Sequence, residues 1–89
     1  MTDELHEHRI KRLKMRSMRR GIKEMDLILP PFAERHLPDM NDADLTLYEQ
    51  MLNESDHDLY QWVTGQVAPP EIYAVFVDKI QKGLGPRPV

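Results

Sequence analysis

The stretch that decides the fold reads RSMRRGIKEMDLIL and runs from Arg16 to Leu29. A charged segment, a single glycine at Gly21 and a helical apolar pattern follow one another here, so two helices are expected to meet. An interior glycine costs about 0.8 to 1 kcal/mol relative to alanine, whereas Arg20 and Glu24, four residues apart, would contribute only about 0.2 to 0.5 kcal/mol as a pair. Gly21 therefore marks a break between helices, keeps a surface open to another molecule's backbone, or does both.

Before the glycine, charged residues outnumber apolar ones. The spacing predicts a first helix from about Asp3 to Met18, and its apolar stripe is so thin that the helix should lie at the edge of a bundle. The stripe consists of Leu5, Ile10, Leu13 and Ser17.

The second helix is predicted to begin at Gly21 or Ile22 and to carry the best candidate for the core. Pro30 and Pro31 each lack an amide donor and crowd the preceding turn, so a kink or short break is expected near Leu29. The apolar pattern nevertheless continues beyond them. The predicted buried face consists of Ile22, Met25, Ile28, Leu29 and Phe32.

Three further helices follow, each with its own start signal. Asn41 or Asp42 can cap the third, because their side-chain oxygens accept hydrogen bonds from first-turn amides, and Ser55 or Asp56 can cap the fourth. Gly65 suits a left-handed position after the fourth helix, and the Pro-Pro pair that follows suits the first turn of the fifth. The predicted inward residues are Leu45, Tyr48, Met51 and Leu52, then Leu59, Trp62 and Val63, then Ile72, Tyr73, Val75, Phe76 and Ile80.

These patterns predict an all-α protein, a small compact bundle of five helices without strands. A chain of 89 residues fits one core. We expect residues 1–82 to form a single helical domain and residues 83–89, GLGPRPV, to be a flexible C-terminal tail.

Composition excludes several classes of protein. The chain has no cysteine, which excludes disulfides and thiolate metal sites and fits a reducing compartment. The first residues carry acids and no apolar run, unlike a secretory signal or an acid-poor transit peptide. No stretch approaches the roughly 20 apolar residues of a membrane span. We predict a soluble, cytoplasmic protein that does not insert into a membrane.

The net charge of −3 is unevenly distributed. Eight of the twelve bases precede Glu24, whereas twelve carboxylates and the single base Arg35 lie between Glu24 and Asp78. Either the basic first helix is attracted to the acidic remainder within the fold, or it is an interaction surface. The alternative function is a small nucleic-acid-binding protein that uses this basic helix. The acidic remainder counts against it, and so does the lack of a base-reading second helix. An inhibitory module such as an antitoxin is a third class.

Nothing in the chain predicts an active site of its own. His6 and His8 point to different sides of a helix, no serine or threonine has a histidine and an acid in a nucleophile pattern, and Gly21 stands outside any phosphate-binding loop. The acidic segment 53–62 lacks the glycine and the final glutamate of a calcium loop, so helix capping is its expected role. We predict no catalytic, metal-binding or cofactor-binding residue, and therefore no enzyme.

Two motifs in order resemble one known family. The first, R-S-x-R-R-G-x-x-E-x-D-L-x-L, contains the RGxxE signature at Arg20, Gly21 and Glu24, and the second, D-x-D-L-x-x-W, runs from Asp56 to Trp62. Together they resemble the FAD assembly factor, or flavinator, family of succinate dehydrogenase, also called the succinate dehydrogenase assembly factor 2 family. The double proline in the second helix is less typical of that pattern.

The resemblance implies a helper that binds the apo flavoprotein subunit of succinate dehydrogenase and promotes covalent attachment of FAD to a histidine of that subunit. It also implies that bacterial members serve the related subunit of fumarate reductase. FAD would belong to the partner, with none bound stably by this chain, because the flavin and the flavoprotein can form the bond themselves. The helper needs only to favour one conformation of its partner.

Under this resemblance the first motif is a docking surface. Gly21 keeps that surface flat, Arg20 offers a fork of donors to a carboxylate or carbonyl, and Glu24 offers a counter-charge. The competing interpretation is that Arg20 and Glu24 only pair with each other. The predicted partner-binding residues are Arg16, Arg19, Arg20, Gly21, Glu24 and Asp26.

Overall fold

The computed structural model describes residues 5–83, which form five α-helices and two short 3₁₀ turns and contain no strand. The all-α bundle of five helices is therefore confirmed. The helices are α1 (His6–Arg16), α2 (Lys23–His36), α3 (Asp42–Leu52), α4 (Asp56–Val63) and α5 (Ala74–Gly83), and the 3₁₀ turns are Leu37–Asp39 after α2 and Glu71–Tyr73 before α5.

The core lies where the apolar faces of the helices meet. Tyr48 of α3 is fully buried at its centre, with its ring 5.8 Å from that of Phe32 in α2 and 6.0 Å from that of Phe76 in α5. Trp62 of α4 is also buried and packs against Tyr73, as expected for a core anchor. α1 buries only Ile10 and Leu13 among its own residues, in agreement with its thin stripe.

The chain turns between α1 and α2 over residues 17–22. α1 ends at Arg16 and α2 begins at Lys23, so the predicted boundaries at Met18 and at Gly21 or Ile22 are wrong by one or two residues. Ile22 is extended, and Arg19 adopts a left-handed conformation with φ of +53°. A regular helix cannot continue through such a residue.

α2 passes through Pro30 and Pro31 without a break, so that form of the prediction is wrong, whereas the alternative of a kink stays a prediction. The prolines remove two amide donors, so the carbonyl groups of Asp26 and Leu27 lose the partners that a helix normally supplies four residues on. The helix persists because burial of its other face, including the fully buried Leu29, stabilises it.

Three residues of the predicted apolar faces are exposed. Leu5 lies extended before the first turn of α1, so it is not part of the helical stripe. Ile72 and Val75 are 56% and 64% exposed, and Val77 is buried instead. The buried residues Tyr73, Phe76, Val77 and Ile80 have the i, i+3, i+4, i+7 spacing of one helix face, and Ile72 and Val75 lie beside that face.

Local signals at the other helix ends are confirmed. The Asn41 side chain accepts a hydrogen bond from the Asp44 amide at 2.8 Å, and that of Ser55 accepts one from the Asp58 amide at 3.2 Å. Gly65 has the expected left-handed conformation, with φ of +80°. Gly83 is the last residue of α5, and the rest of the predicted tail lies outside the described residues. No helix within residues 5–83 is long and apolar enough to cross a membrane.

Candidate functional site

The first motif lies where the ends of three helices meet, and Arg20 joins them. Its Nε donates to Asp56 Oδ1 at 2.7 Å, its Nη1 to the carbonyl oxygen of Arg16 at 3.0 Å, and its Nη2 to that of Leu52 at 2.8 Å. Arg16 and Leu52 are the last residues of α1 and α3, and Asp56 is the first residue of α4. The Arg20 side chain is only 12% exposed.

Each of these contacts suits the helix end at which it is made. The last carbonyl groups of a helix have no donors within it and attract a cation, whereas the first turn favours a carboxylate. A guanidinium carries five N–H donors in one rigid plane, so it can serve two carbonyl groups and a carboxylate at once. Arg20 is therefore a structural residue of this bundle.

Gly21 is required by the same carboxylate. Its amide donates to Asp56 Oδ2 at 2.5 Å, and a Cβ at this position would lie 2.7 Å from that oxygen. The positive φ of this connection belongs to Arg19, so Gly21 is needed for the space beside Asp56 rather than for its backbone conformation. Gly21 is itself exposed, so its predicted role in keeping a surface flat for a partner stays a prediction beside this internal contact.

Asp26 holds the connection from the α2 side. Its Oδ1 accepts a hydrogen bond from the backbone amide of Arg20. Two carboxylates, one from α2 and one from α4, thus fix the path of the chain between α1 and α2. We call these four residues, Arg20, Gly21, Asp26 and Asp56, the Arg20 clamp.

The other motif residues face outward. Glu24 is exposed on α2, and within residues 5–83 its carboxylate makes no hydrogen bond or ion pair. The competing interpretation that Arg20 pairs with Glu24 is therefore wrong. Arg19 is also exposed, and Leu27, one turn beyond Glu24, is 68% exposed. We call Arg19, Glu24 and Leu27 the outer motif surface.

Arg16 belongs to a basic face of α1 that packs against α3. Arg9, Arg12 and Arg16 approach the carboxylate of Glu49 at 3.8, 2.7 and 3.4 Å. The hydrogen bond from Arg12 is the main cause of a lowered pKa of Glu49, and the charges of all three arginines add to it. Arg16 also donates to Asn53 Oδ1 at 2.6 Å. This half of the basic helix is thus attracted to the acidic remainder within the fold. Because these three arginines already contact Glu49, they count against the alternative that the helix binds nucleic acid.

Ser17, within the same motif, is fully buried. Its hydroxyl donates to the Leu13 carbonyl oxygen at 2.8 Å and lies 2.6 Å from the hydroxyl of Tyr48. Burial raises the pKa of Tyr48 to about 12. The motif therefore also supplies the polar partner that a buried tyrosine hydroxyl requires.

Sequence reasoning missed the role of Asp56. We expected a helix cap, but Ser55 caps α4 and the Asp56 carboxylate is bound to Arg20 and Gly21. The two positions are 36 residues apart, so helical spacing carries no signal for the pair. The one signal in the sequence that linked these residues was that the two family motifs, which contain them, occur in order along the chain.

Two histidines of the described segment have partners of other kinds. His6 contacts Asp42 at 3.2 Å, and His36 packs on Phe32 with ring centroids 4.7 Å apart. Within residues 5–83, no three histidine or acidic side chains are grouped as metal ligands.

Comparison with known proteins identifies the family. The model of the family described as flavinator of succinate dehydrogenase matches residues 11–83, which include the whole Arg20 clamp. The chain belongs to this family. The predicted resemblance is confirmed, whereas the partner-binding role of the individual RGxxE residues stays a prediction.

Individual relatives agree with the family model. The chain is 44% identical over 63 residues to succinate dehydrogenase assembly factor 2, mitochondrial, of Meyerozyma guilliermondii, a match that covers 71% of this chain and 47% of the relative. It is 38% identical over 82 residues to succinate dehydrogenase assembly factor 2-B, mitochondrial, of Drosophila mojavensis, covering 90% of this chain and 52% of the relative. The chain spans about half the length of these relatives.

These relatives decide two of the predictions. They are assembly factors and not enzymes, which confirms that prediction for the family. The prediction of a cytoplasmic protein is wrong, because the relatives are named as mitochondrial proteins. It rested partly on the lack of cysteine, which fits any reducing compartment and so cannot select one.

Proposed function

We propose that this chain binds the apo flavoprotein subunit of succinate dehydrogenase and promotes covalent attachment of FAD to that subunit. Membership of the flavinator family, with a match over residues 11–83, is the observation that carries the proposal. The geometry of the motif agrees with a binding role. Arg20 and Asp26 are engaged within the fold, and Glu24 is exposed with no hydrogen bond or ion pair to another residue of 5–83, so these groups form no acid-base or nucleophile pair with one another there.

The Arg20 clamp supports this role by fixing the outer motif surface. It holds the chain between α1 and α2 in one path, which sets the position of Arg19 relative to Glu24. A surface that is rigid before binding loses less conformational entropy when the partner docks. Arg19 and Glu24 then offer one charge of each sign, and Leu27 offers an apolar contact.

The bond-forming chemistry stays with the partner and its flavin. FAD is held by the flavoprotein in this proposal, and this chain acts only by binding one conformation of the flavoprotein more tightly than the others. A shift of a partner population from 1:99 to 99:1 requires a difference in binding free energy of about 5.5 kcal/mol. A rigid surface with both charged and apolar contacts is suited to that discrimination.

A flavinylation assay tests the proposal. Apo flavoprotein is incubated with FAD and this chain, and covalent flavin is measured by in-gel fluorescence of the denatured partner. We expect the wild-type chain to raise the rate, and Glu24→Ala to lower it about tenfold at subsaturating concentrations, the loss typical of one good interface contact. Glu71→Ala is the matched control, because Glu71 is exposed outside the motif.

The outcomes separate the function from its site. No stimulation by the wild-type chain would refute the proposed function, whereas full activity of Glu24→Ala would refute only the assignment of the outer motif surface. The same assay with the apo flavoprotein of fumarate reductase tests the second partner that the resemblance implies. Binding to DNA of random sequence at physiological salt, without stimulation of flavinylation, would favour the nucleic-acid alternative.

A further inference from the structure

One outward stripe of α2 extends from the motif to the far end of the helix. Glu24, Leu27, Pro31 and Arg35 are all exposed, and their spacing of three, four and four residues places them in one line along the helix surface. The stripe begins with the glutamate of the motif, continues with two apolar residues and ends with a base. It is therefore continuous with the outer motif surface.

The apolar part of this stripe borders a groove between α2 and α5. The groove has a volume of about 370 Å³, and its apolar lining includes Leu27, Pro31 and Phe32 of α2 and Ile80 of α5. Arg35 also lines it. Leu27 is 68% exposed, so its side chain is available for a contact across the groove.

The two prolines add a backbone acceptor to the same wall. The carbonyl group of Leu27 would normally accept from the residue three or four positions on, and those residues are Pro30 and Pro31. Proline has no amide hydrogen, so this carbonyl has no donor within its helix. It lies in the turn between Leu27 and Pro31, which both line the groove.

The groove carries a positive charge, at Arg35, in a segment of the chain that is otherwise acidic. Arg35 is the single base between Glu24 and Asp78, and within residues 5–83 its guanidinium makes no ion pair. Two lysines of the neighbouring helix surfaces are paired: Lys14 contacts Glu34 at 3.3 Å, and Lys82 contacts Asp78 at 3.1 Å. A guanidinium beside an apolar groove is complementary to a carboxylate that follows an apolar side chain.

We propose that this groove docks a segment of the flavoprotein partner that places an apolar side chain between Leu27 and Phe32 and a carboxylate on Arg35. The proposal rests on the proposed function. It gives the partner a second point of contact along the stripe, in addition to Glu24. A donor of the docked segment binds the Leu27 carbonyl group, which the prolines leave open. The tandem prolines thus give α2 a side that is specialised for binding.

Direct binding of the full chain to immobilised apo flavoprotein tests the groove, with two variants and two matched controls. Leu27→Ala removes the apolar contact and is compared with Val75→Ala, since Val75 is 64% exposed on α5. Arg35→Glu reverses the charge and is compared with Lys79→Glu, which changes the net charge equally at an exposed site of α5. We expect affinity to fall about fivefold for Leu27→Ala and about tenfold or more for Arg35→Glu, with both controls within about twofold of wild type.

Each of the other outcomes would contradict the proposed docking at the groove and would point to a different explanation. Wild-type affinity of both variants, or equal losses in variants and controls, would overturn the groove and leave the proposed function standing. Absence of binding and of flavinylation by the wild-type chain would overturn both. If Leu27→Ala abolished self-association seen in sedimentation of the chain alone, the occupant would be a second copy. If removal of residues 84–89 tightened binding at the groove, the occupant would be this chain's own C-terminal segment.

Discussion

The two sides of the α1–α2 connection use the same few residue types for different purposes. On the inner side, Arg20 is 12% exposed and donates to three acceptors at three helix ends. On the outer side, Glu24 lies only four residues later, yet it is exposed and its carboxylate has no partner among the described residues. One short motif therefore contains residues that build the fold and residues that are available to a partner.

The difference affects how variants of the motif are interpreted. Loss of activity on substitution of Arg20 or Gly21 does not identify a partner contact, because both residues hold the bundle together. Glu24 and Arg19 are the positions at which a functional effect can be separated from a stability effect. The following predictions test this division in order of decreasing effect on stability.

Arg20→Ala should have the largest effect. It leaves a mostly buried Asp56 carboxylate and two helix-end carbonyl groups without their donor, so we expect the free energy of unfolding to fall by about 2 to 4 kcal/mol. Urea unfolding followed by far-UV circular dichroism measures the change. Arg19→Ala is the matched control, because the neighbouring side chain is exposed, and its effect should stay within about 0.5 kcal/mol. Equal losses would contradict the division between an inner and an outer side.

Gly21→Ala should have the next largest effect, about 1 to 2 kcal/mol, because its Cβ would displace the Asp56 carboxylate from its hydrogen bonds. Gly83→Ala is the control, since a Cβ there meets no atom within 4 Å. In the double variant Gly21→Ala/Asp56→Ala the crowding is absent, so the combined loss should be smaller than the sum of the two single losses. Strict additivity would show that the space beside Asp56 is not the reason for the glycine.

Glu49→Gln tests an arginine–carboxylate contact that is more exposed to solvent than the contact between Arg20 and Asp56. Its effect on stability should lie between those of Gly21→Ala and Glu24→Ala. The side chain of Glu49 is 29% exposed, and we expect a loss of about 0.5 to 1 kcal/mol at neutral pH. The pKa of Glu49 is lowered in the folded state, so its contribution is present above the ordinary value of 4.5 and is lost as the pH falls from there through the lowered pKa. Urea unfolding should therefore show the wild-type advantage shrinking below about pH 4.5. An advantage that does not change with pH would exclude ionisation of Glu49 as its source.

Glu24→Ala should have the smallest effect on stability, within about 0.5 kcal/mol, because its carboxylate makes no hydrogen bond or ion pair within residues 5–83. The same preparation should nevertheless be impaired in the flavinylation assay. Thermal unfolding of Glu24→Ala and Glu71→Ala side by side provides the comparison. A clear loss of stability for Glu24→Ala alone would mean that this side of the motif also supports the fold.

Much of the fold could be predicted because its signals are local. The helical spacing of Leu45, Tyr48 and Leu52 indicated a buried face, and caps such as Asn41 indicated where helices begin. Predictions failed where geometry departed from a regular helix. The left-handed conformation of Arg19 separates α1 from α2, and no spacing pattern along the chain encodes it.

The sequence by itself determined the number of helices, most of the core, the lack of thiol chemistry and the family. Tertiary structure alone decided which motif residues face inward, because Arg20 meets Asp56 across 36 residues of sequence and only the packing of α1, α3 and α4 brings them together. It also decided that α2 continues through two prolines, since burial of one helix face outweighs two missing hydrogen bonds. Spacing along a chain describes one helix at a time, whereas a binding surface depends on what neighbouring helices have already covered.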